Sequence, residues 1–224
     1  MNGTVDKREF ILDNFIKLVG EYGINRVTLS DVAERSGLTK SALYYYFGSK
    51  EALLVEGFEL FNHKLREKID PLVQNAKNPR EVLLVYCDFN LKVFFGGYEE
   101  FRPLMELSTE VFYEIQKYMF NSPDIAKRVL SHRDSELNWL NGVIAQYIGE
   151  SPDDDRTRKI TIMYAAFLHS FVTMSAGIAK QSKALESYSL ISQFPWRLDN
   201  IDHDDIFEFL IGGVDDLKKK LFGK

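Results

Sequence analysis

The chain has 224 residues, 45% of them hydrophobic and 27% charged, with a formal net charge of −5 at pH 7. These proportions are ordinary for a folded globular protein and exclude an intrinsically disordered chain. The single cysteine, Cys87, excludes an internal disulfide framework and any cysteine-based zinc site.

The first ten residues, "MNGTVDKREF", are polar and charged, unlike a secretory leader, and a cytoplasmic setting is the expectation. The run "ITIMYAAFLHSFVTMSAGIA" at 160–179 is long enough to span a bilayer. It also holds His169, two threonines and two serines, and no second span accompanies it, so a buried or subunit-shared helix is expected and no membrane partner. The negative charge is unevenly spread. Residues 1–50 carry Lys7, Arg8, Lys17, Arg26, Arg35, Lys40 and Lys50 against Asp6, Glu9, Asp13, Glu21, Asp31 and Glu34, an excess of +1.

Strand signals are nearly absent and helical periodicity recurs throughout, which predicts an all-α fold. Phe10, Phe15, Ile16 and Val19 mark a first helix, with Gly23 at its left-handed end. Thr28, followed by Asp31, opens a short second helix that stops near Gly37. Thr39 caps a third through Phe47, and Ser49 starts a fourth that runs to about Ile69 before Pro71. Longer helices are predicted at about 79–95, 98–120 (broken near Pro103), 123–149, 154–181 and 204–222, joined at "FFGGYEEF", "FNSPD" and "IGESPDDD". The segment 183–203 has no assigned element, and its Tyr188, Leu190, Phe194 and Trp196 are expected to pack down.

Two short helices around a tight glycine turn have the geometry of a helix-turn-helix. Ala33 is small where the helices must cross, Gly37 suits a positive φ, and Leu43 faces inward with Val32, Leu38 and Phe47. Lys40, Ser41, Tyr44 and Tyr45 then face outward, with Tyr46 at a flank. Three consecutive tyrosines cannot all enter one core. Outward phenols can donate to phosphate oxygens and lay ring edges against sugar or a thymine methyl. Lys50, at the start of the fourth helix, adds a charge where backbone N–H groups already favour an anion. The competing reading, a tyrosine surface packed on neighbouring helices, loses ground once the whole pattern is counted.

The stretch "VTLSDVAERSGLTKSALYYYFGSKEALL" resembles the DNA-binding segment of TetR-family transcriptional regulators. Thr28, Asp31-Val32-Ala33, Gly37, Leu43-Tyr44, Phe47 and Lys50-Glu51-Ala52-Leu53 stand where that pattern expects them. The resemblance covers about residues 8–55. Lys40-Ser41-Ala42 departs from it in lacking the small or Gly/Pro residue often found before the Leu-Tyr pair, which leaves the sequence read open. The resemblance implies a three-helix helix-turn-helix domain at 1–48 and a helical-bundle effector-binding and dimerisation domain at 49–224, with 49–69 as connecting helix. It also implies a homodimer on a palindromic double-stranded DNA operator, most simply a repressor that an effector releases by shifting the fourth helix. Candidate DNA contacts are Thr28, Thr39, Lys40, Ser41, Tyr44, Tyr45, Tyr46 and Lys50. A helical sensor or carrier that keeps the fold without binding an operator is the alternative, and an enzyme the remotest one.

Nothing else in the sequence carries catalysis. His63, His132, His169 and His203 form no metal-ligand pair at helical spacing, and no phosphate loop or nucleophile elbow is present. No cofactor or metal is expected. His132, beside Arg133 and Asp134, reads as a solvated face. The aromatics Phe94, Phe95, Phe101, Phe112, Tyr113, Trp139, Phe167 and Phe171 predict an elongated apolar pocket for a small hydrophobic or aromatic effector. His169 is its first polar anchor, with Glu106 and Asn138 behind it. Ile206, Leu210, Val214, Leu217 and Leu221 form one stripe on the last helix, which can pack within its own subunit or, the expectation taken here, build a four-helix dimer interface together with the 154–181 helix.

Overall fold

The computed structural model describes residues 6–94, 108–186 and 203–223, and these are helical with no strand among them. In chain order the helices are α1 (Lys7–Tyr22), α2 (Leu29–Arg35), α3 (Lys40–Tyr46), α4 (Lys50–Gln74) and α5 (Pro79–Phe94). They are followed by α6 (Ser108–Asn121), α7 (Pro123–Ile148), α8 (Asp155–Glu186) and α9 (His203–Phe222). The expected all-α class holds. Of the 183–203 segment, residues 187–202 lie outside the described residues.

The described contacts divide the chain into two compact units: residues 1–68 with 98–132, and residues 69–97 with 133–224. This grouping differs from the expected division at 48/49. The first four turns of α4 pack with the helix-turn-helix, Leu53 and Leu54 entering its core and Gly57 lying buried beside α1. A Cβ there would stand 3.4 Å from the Phe15 ring of α1. Ion pairs reinforce the contact, Lys64 Nζ lying 2.5 Å from Asp13 Oδ1.

The first unit is organised around Ile11, Leu12, Phe15, Leu18 and Val19 of α1, Val32 and Ala33 of α2, Leu43 and Phe47, and Leu53 and Leu54 of α4. Phe10, expected on the apolar face of α1, is instead 40% exposed and lies under the Lys7 ammonium. The termini follow local chemistry. Thr28 Oγ1 accepts from Asp31 N–H while Asp31 Oδ2 accepts from Thr28 N–H, a complete capping box. Ser36 and Gly37 turn the chain, with Gly37 at φ 64° in the left-handed region.

Helix α4 does not stop before Pro71 but carries it inside and continues to Gln74. Proline removes one N–H donor there. Both Glu67, whose carbonyl would have accepted that bond, and Pro71 are exposed, so water can replace the missing partner.

The second unit packs α5, α7, α8 and α9 around Leu83, Tyr86, Cys87, Leu91, Leu140, Ile144, Ile160, Tyr164 and Phe207. Cys87 is fully buried and burial pushes its thiol up to about 12, so it is packing and not a nucleophile. The stripe on α9 is corrected here. Ile206, Leu210 and Val214 lie in this subunit's own core, with Leu217 and Leu221 packed against it. No described helix is long and apolar enough to cross a membrane.

Candidate functional site

The outward face of α3 is built by its cap and its two inward residues. Thr39 Oγ1 accepts from Ala42 N–H at 3.1 Å and starts the helix. Leu43 and Phe47, 0% and 1% exposed, fix its inner side. Lys40, Ser41, Tyr44 and Tyr45 consequently face solvent, Tyr45 being 86% exposed. Tyr46 turns half inward onto the core and meets the Tyr45 ring edge-on, centroids 5.5 Å apart. Two of the three tyrosines therefore offer their rings outward and the third braces them.

The candidate contacts separate further by what their polar atoms already do. Thr28 Oγ1 donates to Asp31 Oδ2 at 2.7 Å, so its hydroxyl hydrogen is committed to the capping box. These bonds hold the Asp31 carboxyl below its ordinary pKa, the Thr28 hydroxyl being the larger cause and the Thr28 N–H the next. Thr39 uses only an acceptor lone pair on its cap and keeps its O–H to donate outward. Lys50 is the largest departure from expectation. It is half-buried and its Nζ donates to the Ile24 carbonyl at 2.6 Å, tying α4 to the turn before α2. Burial lowers its pKa, while Glu114, Glu51 and Asp31 act in the opposite sense. Its first role is thus to hold that turn.

Sequence reasoning missed Arg8. Its Nε and Nη2 reach the two oxygens of Glu56 on α4 at 2.8 and 2.7 Å, and Nη1 reaches the carbonyl of Tyr46, the last residue of α3, at 2.8 Å. The guanidinium carbon sits 4.4 Å from the centre of the Phe47 ring. The hydrogen bond to Glu56 is the main reason its pKa is raised. Nothing local in "VDKREF" announces this, because the partners lie 38 and 48 residues away. A shallow open groove of about 550 Å³ lies on another side of the domain, lined by Leu18, Tyr22, Arg26, Val27, Asp31, Glu34 and Arg35.

The expected effector pocket is only partly described. Phe101 and Glu106 lie outside the described residues, as do the side chains of Phe94 and Phe112. The remaining residues fall into two groups. Trp139 of α7 meets the Tyr86 ring of α5 at 5.4 Å, and the Tyr86 hydroxyl donates to Glu136. His169 lies within electrostatic reach of Glu136 and Arg133. It is open to solvent, yet enough of the imidazole is packed away that burial first, and Arg133 second, lower its pKa. Asn138 is exposed on α7.

Phe167 and Phe171 stand elsewhere. They stack at 6.3 Å, and Phe167 meets Phe209 of α9 at 5.0 Å. Two residues along a helix turn the direction by roughly 200°, so Phe167 and His169 cannot share one pocket wall. Tyr86 and Glu136 were not anticipated as site residues. The signal available was Glu136 three residues before Trp139, one face of α7. Burial, then Glu136, raises the Tyr86 pKa well above its ordinary value, so the phenol remains a donor. His132 is also corrected: it is half-buried, edge-on to Phe58 and 3.9 Å from Glu59. No cluster of three metal-ligating side chains occurs among the described residues.

Comparison with known proteins finds likeness over the helix-turn-helix segment. Residues 11–56 match the family described as "Bacterial regulatory proteins, tetR family". The HTH-type transcriptional regulator BetI of Agrobacterium fabrum is 31% identical over 90 residues, which are 39% of this chain and 44% of BetI. The chain thus spans under half the length of that curated relative. The N-terminal segment is thus similar to that of TetR-family helix-turn-helix regulators.

Solved structures extend the likeness in fold. The regulator FadR of Bacillus subtilis in complex with stearoyl-CoA has a TM-score of 0.57 and 14% identity, covering 95% of this chain and 98% of FadR. A regulator of Saccharomonospora viridis in complex with choline has a TM-score of 0.61 and 15% identity, covering 93% and 95%.

Proposed function

We propose that this chain is a homodimeric, ligand-responsive regulator that binds a palindromic DNA operator, most simply as a repressor released by a small, largely apolar effector. The observation that carries the reading is the outward pair Tyr44 and Tyr45 beside Lys40 and Ser41, on a helix whose inner side and cap are fully accounted for. Tyr45, Lys40 and Ser41 are the residues placed to read base edges, and the Thr39 hydroxyl to reach phosphate. Lys50 positions the turn before α2 and can give a remaining N–H to the backbone. The named curated relative BetI is a transcriptional regulator, which supports a regulator over an enzyme. A cytoplasmic setting accords with such a role.

The dimer face is assigned to the sides of α8 and α9 that their own core leaves open. Met163 and Phe167, four residues apart on one side of α8, and Phe209 on α9 are exposed, Phe209 by 64%. Gly212 and Gly213 beside them have open space where a side chain would stand, which admits a close partner helix. A second copy would cover these residues in a four-helix interface.

For the effector, the group Tyr86, Glu136, Trp139 and His169 replaces the wider set expected from the sequence. It combines two aromatic faces with a buried phenol and a carboxylate, enough to orient an apolar molecule by a few polar contacts. Structures of this fold hold stearoyl-CoA and choline, which supports a helical unit that accepts ligands. Screening of apolar and amphipathic compounds should find one that raises the melting temperature and releases operator DNA. Trp139→Ala and Glu136→Gln should blunt that release while operator affinity without effector is kept; Phe167→Ala should not blunt it. Release by highly polar metabolites alone would remove this reading of the site.

A further inference from the structure

We propose that Arg8 is a positioning residue for DNA readout: its guanidinium locks the end of the recognition helix α3 to α4, so the pitch of α3 is set through this one side chain. The proposal rests on the DNA-binding reading above. The carbonyls of a helix's last turn have no partner within the helix, and Tyr46 is the last residue of α3. Its carbonyl is taken by Nη1 of Arg8, a charge-assisted bond placed where the helix dipole favours a cation. The other two nitrogens, Nε and Nη2, donate to both oxygens of Glu56 on α4. The Phe47 ring lies against the guanidinium plane and leaves it little freedom to swing.

The three nitrogens of one planar group thus join α1, α3 and α4. Displacing Glu56 must move the guanidinium, and with it the carbonyl that ends α3. Lysine cannot reproduce this, because an ammonium is a single point charge without the planar fork. A simple ion pair would behave differently, since it needs only opposite charges at positions 8 and 56.

The experiment measures full-length protein on its selected operator and on random duplex, alongside thermal melting. Arg8→Lys should lower the operator-to-random affinity ratio by about tenfold, comparable with losing one base contact, while the melting temperature stays close to that of the wild type. The double exchange Arg8→Glu with Glu56→Arg should recover melting relative to Arg8→Glu alone. It should not recover the ratio, because a carboxylate at position 8 has no N–H to give to the Tyr46 carbonyl. An unchanged ratio in Arg8→Lys, or a ratio fully restored by the exchange, would overturn the proposal and leave Arg8 an ion-pair partner only. Wild-type protein with no preference for any duplex would instead remove the DNA-binding reading, and this one with it.

Discussion

Replacing Phe47 by alanine should destabilise the helix-turn-helix by about 3–5 kcal/mol, the range for truncating a large buried ring, and abolish operator binding. Phe47 is 1% exposed, follows directly on α3, and packs with Leu43, Val32 and Leu53 in the core of the first unit. The same ring supports the Arg8 guanidinium, so the cavity also loosens the tie that ends α3. Urea unfolding followed by circular dichroism should show an early loss of helix. Tyr45→Ala is the informative contrast. Its side chain is 86% exposed, so stability should move by no more than about 0.5 kcal/mol while operator affinity falls. A Phe47→Ala protein that unfolds like the wild type would contradict the assigned core of this domain.

The second large effect concerns assembly. Phe209→Asp combined with Met163→Asp should convert the protein to a monomer, because two charges would be desolvated in an interface built from those residues. Neither side chain contributes to the subunit's own core, so the monomer should stay folded. With only one reading head, the advantage of a second, linked half-site is lost, and operator affinity should drop by about 10²–10⁴-fold. Sedimentation at micromolar concentration reads the first consequence and a mobility-shift titration the second. The contrasting substitution Leu210→Asp should unfold the second unit outright, since Leu210 is 4% exposed within it. A doubly substituted protein that remains dimeric would place the interface on another face.

These contrasts show where the sequence was legible. Thr28 with Asp31, Gly37, and Leu43 with Phe47 are governed by neighbours within a few residues, and each does locally what its chemistry dictates. The stripe Ile206–Leu210–Val214 was legible as an apolar face but not as to what covers it, because periodicity reports burial and not the identity of the partner. Lys50 and Arg8 were illegible for a related reason: a long basic side chain can reach phosphate or a carbonyl far along the chain, and only the tertiary fold decides. The split between Phe167 and His169 was available from helical geometry, since residues two apart face opposite sides. The turn beyond Pro71 is a case where an exposed helix end tolerates a missing N–H that a buried one would not.

The central claim is sequence-specific, electrostatically supported DNA binding through α3, and selection from a random duplex library followed by titration tests it most directly. The account predicts a palindromic site whose half-site centres are about 34 Å apart, bound at least about 10³-fold more tightly than random duplex. Affinity for both should fall steeply between about 50 and 200 mM salt, as neutralised phosphates regain their counterions. Equal affinity for selected and random duplexes, or binding indifferent to salt, would contradict it.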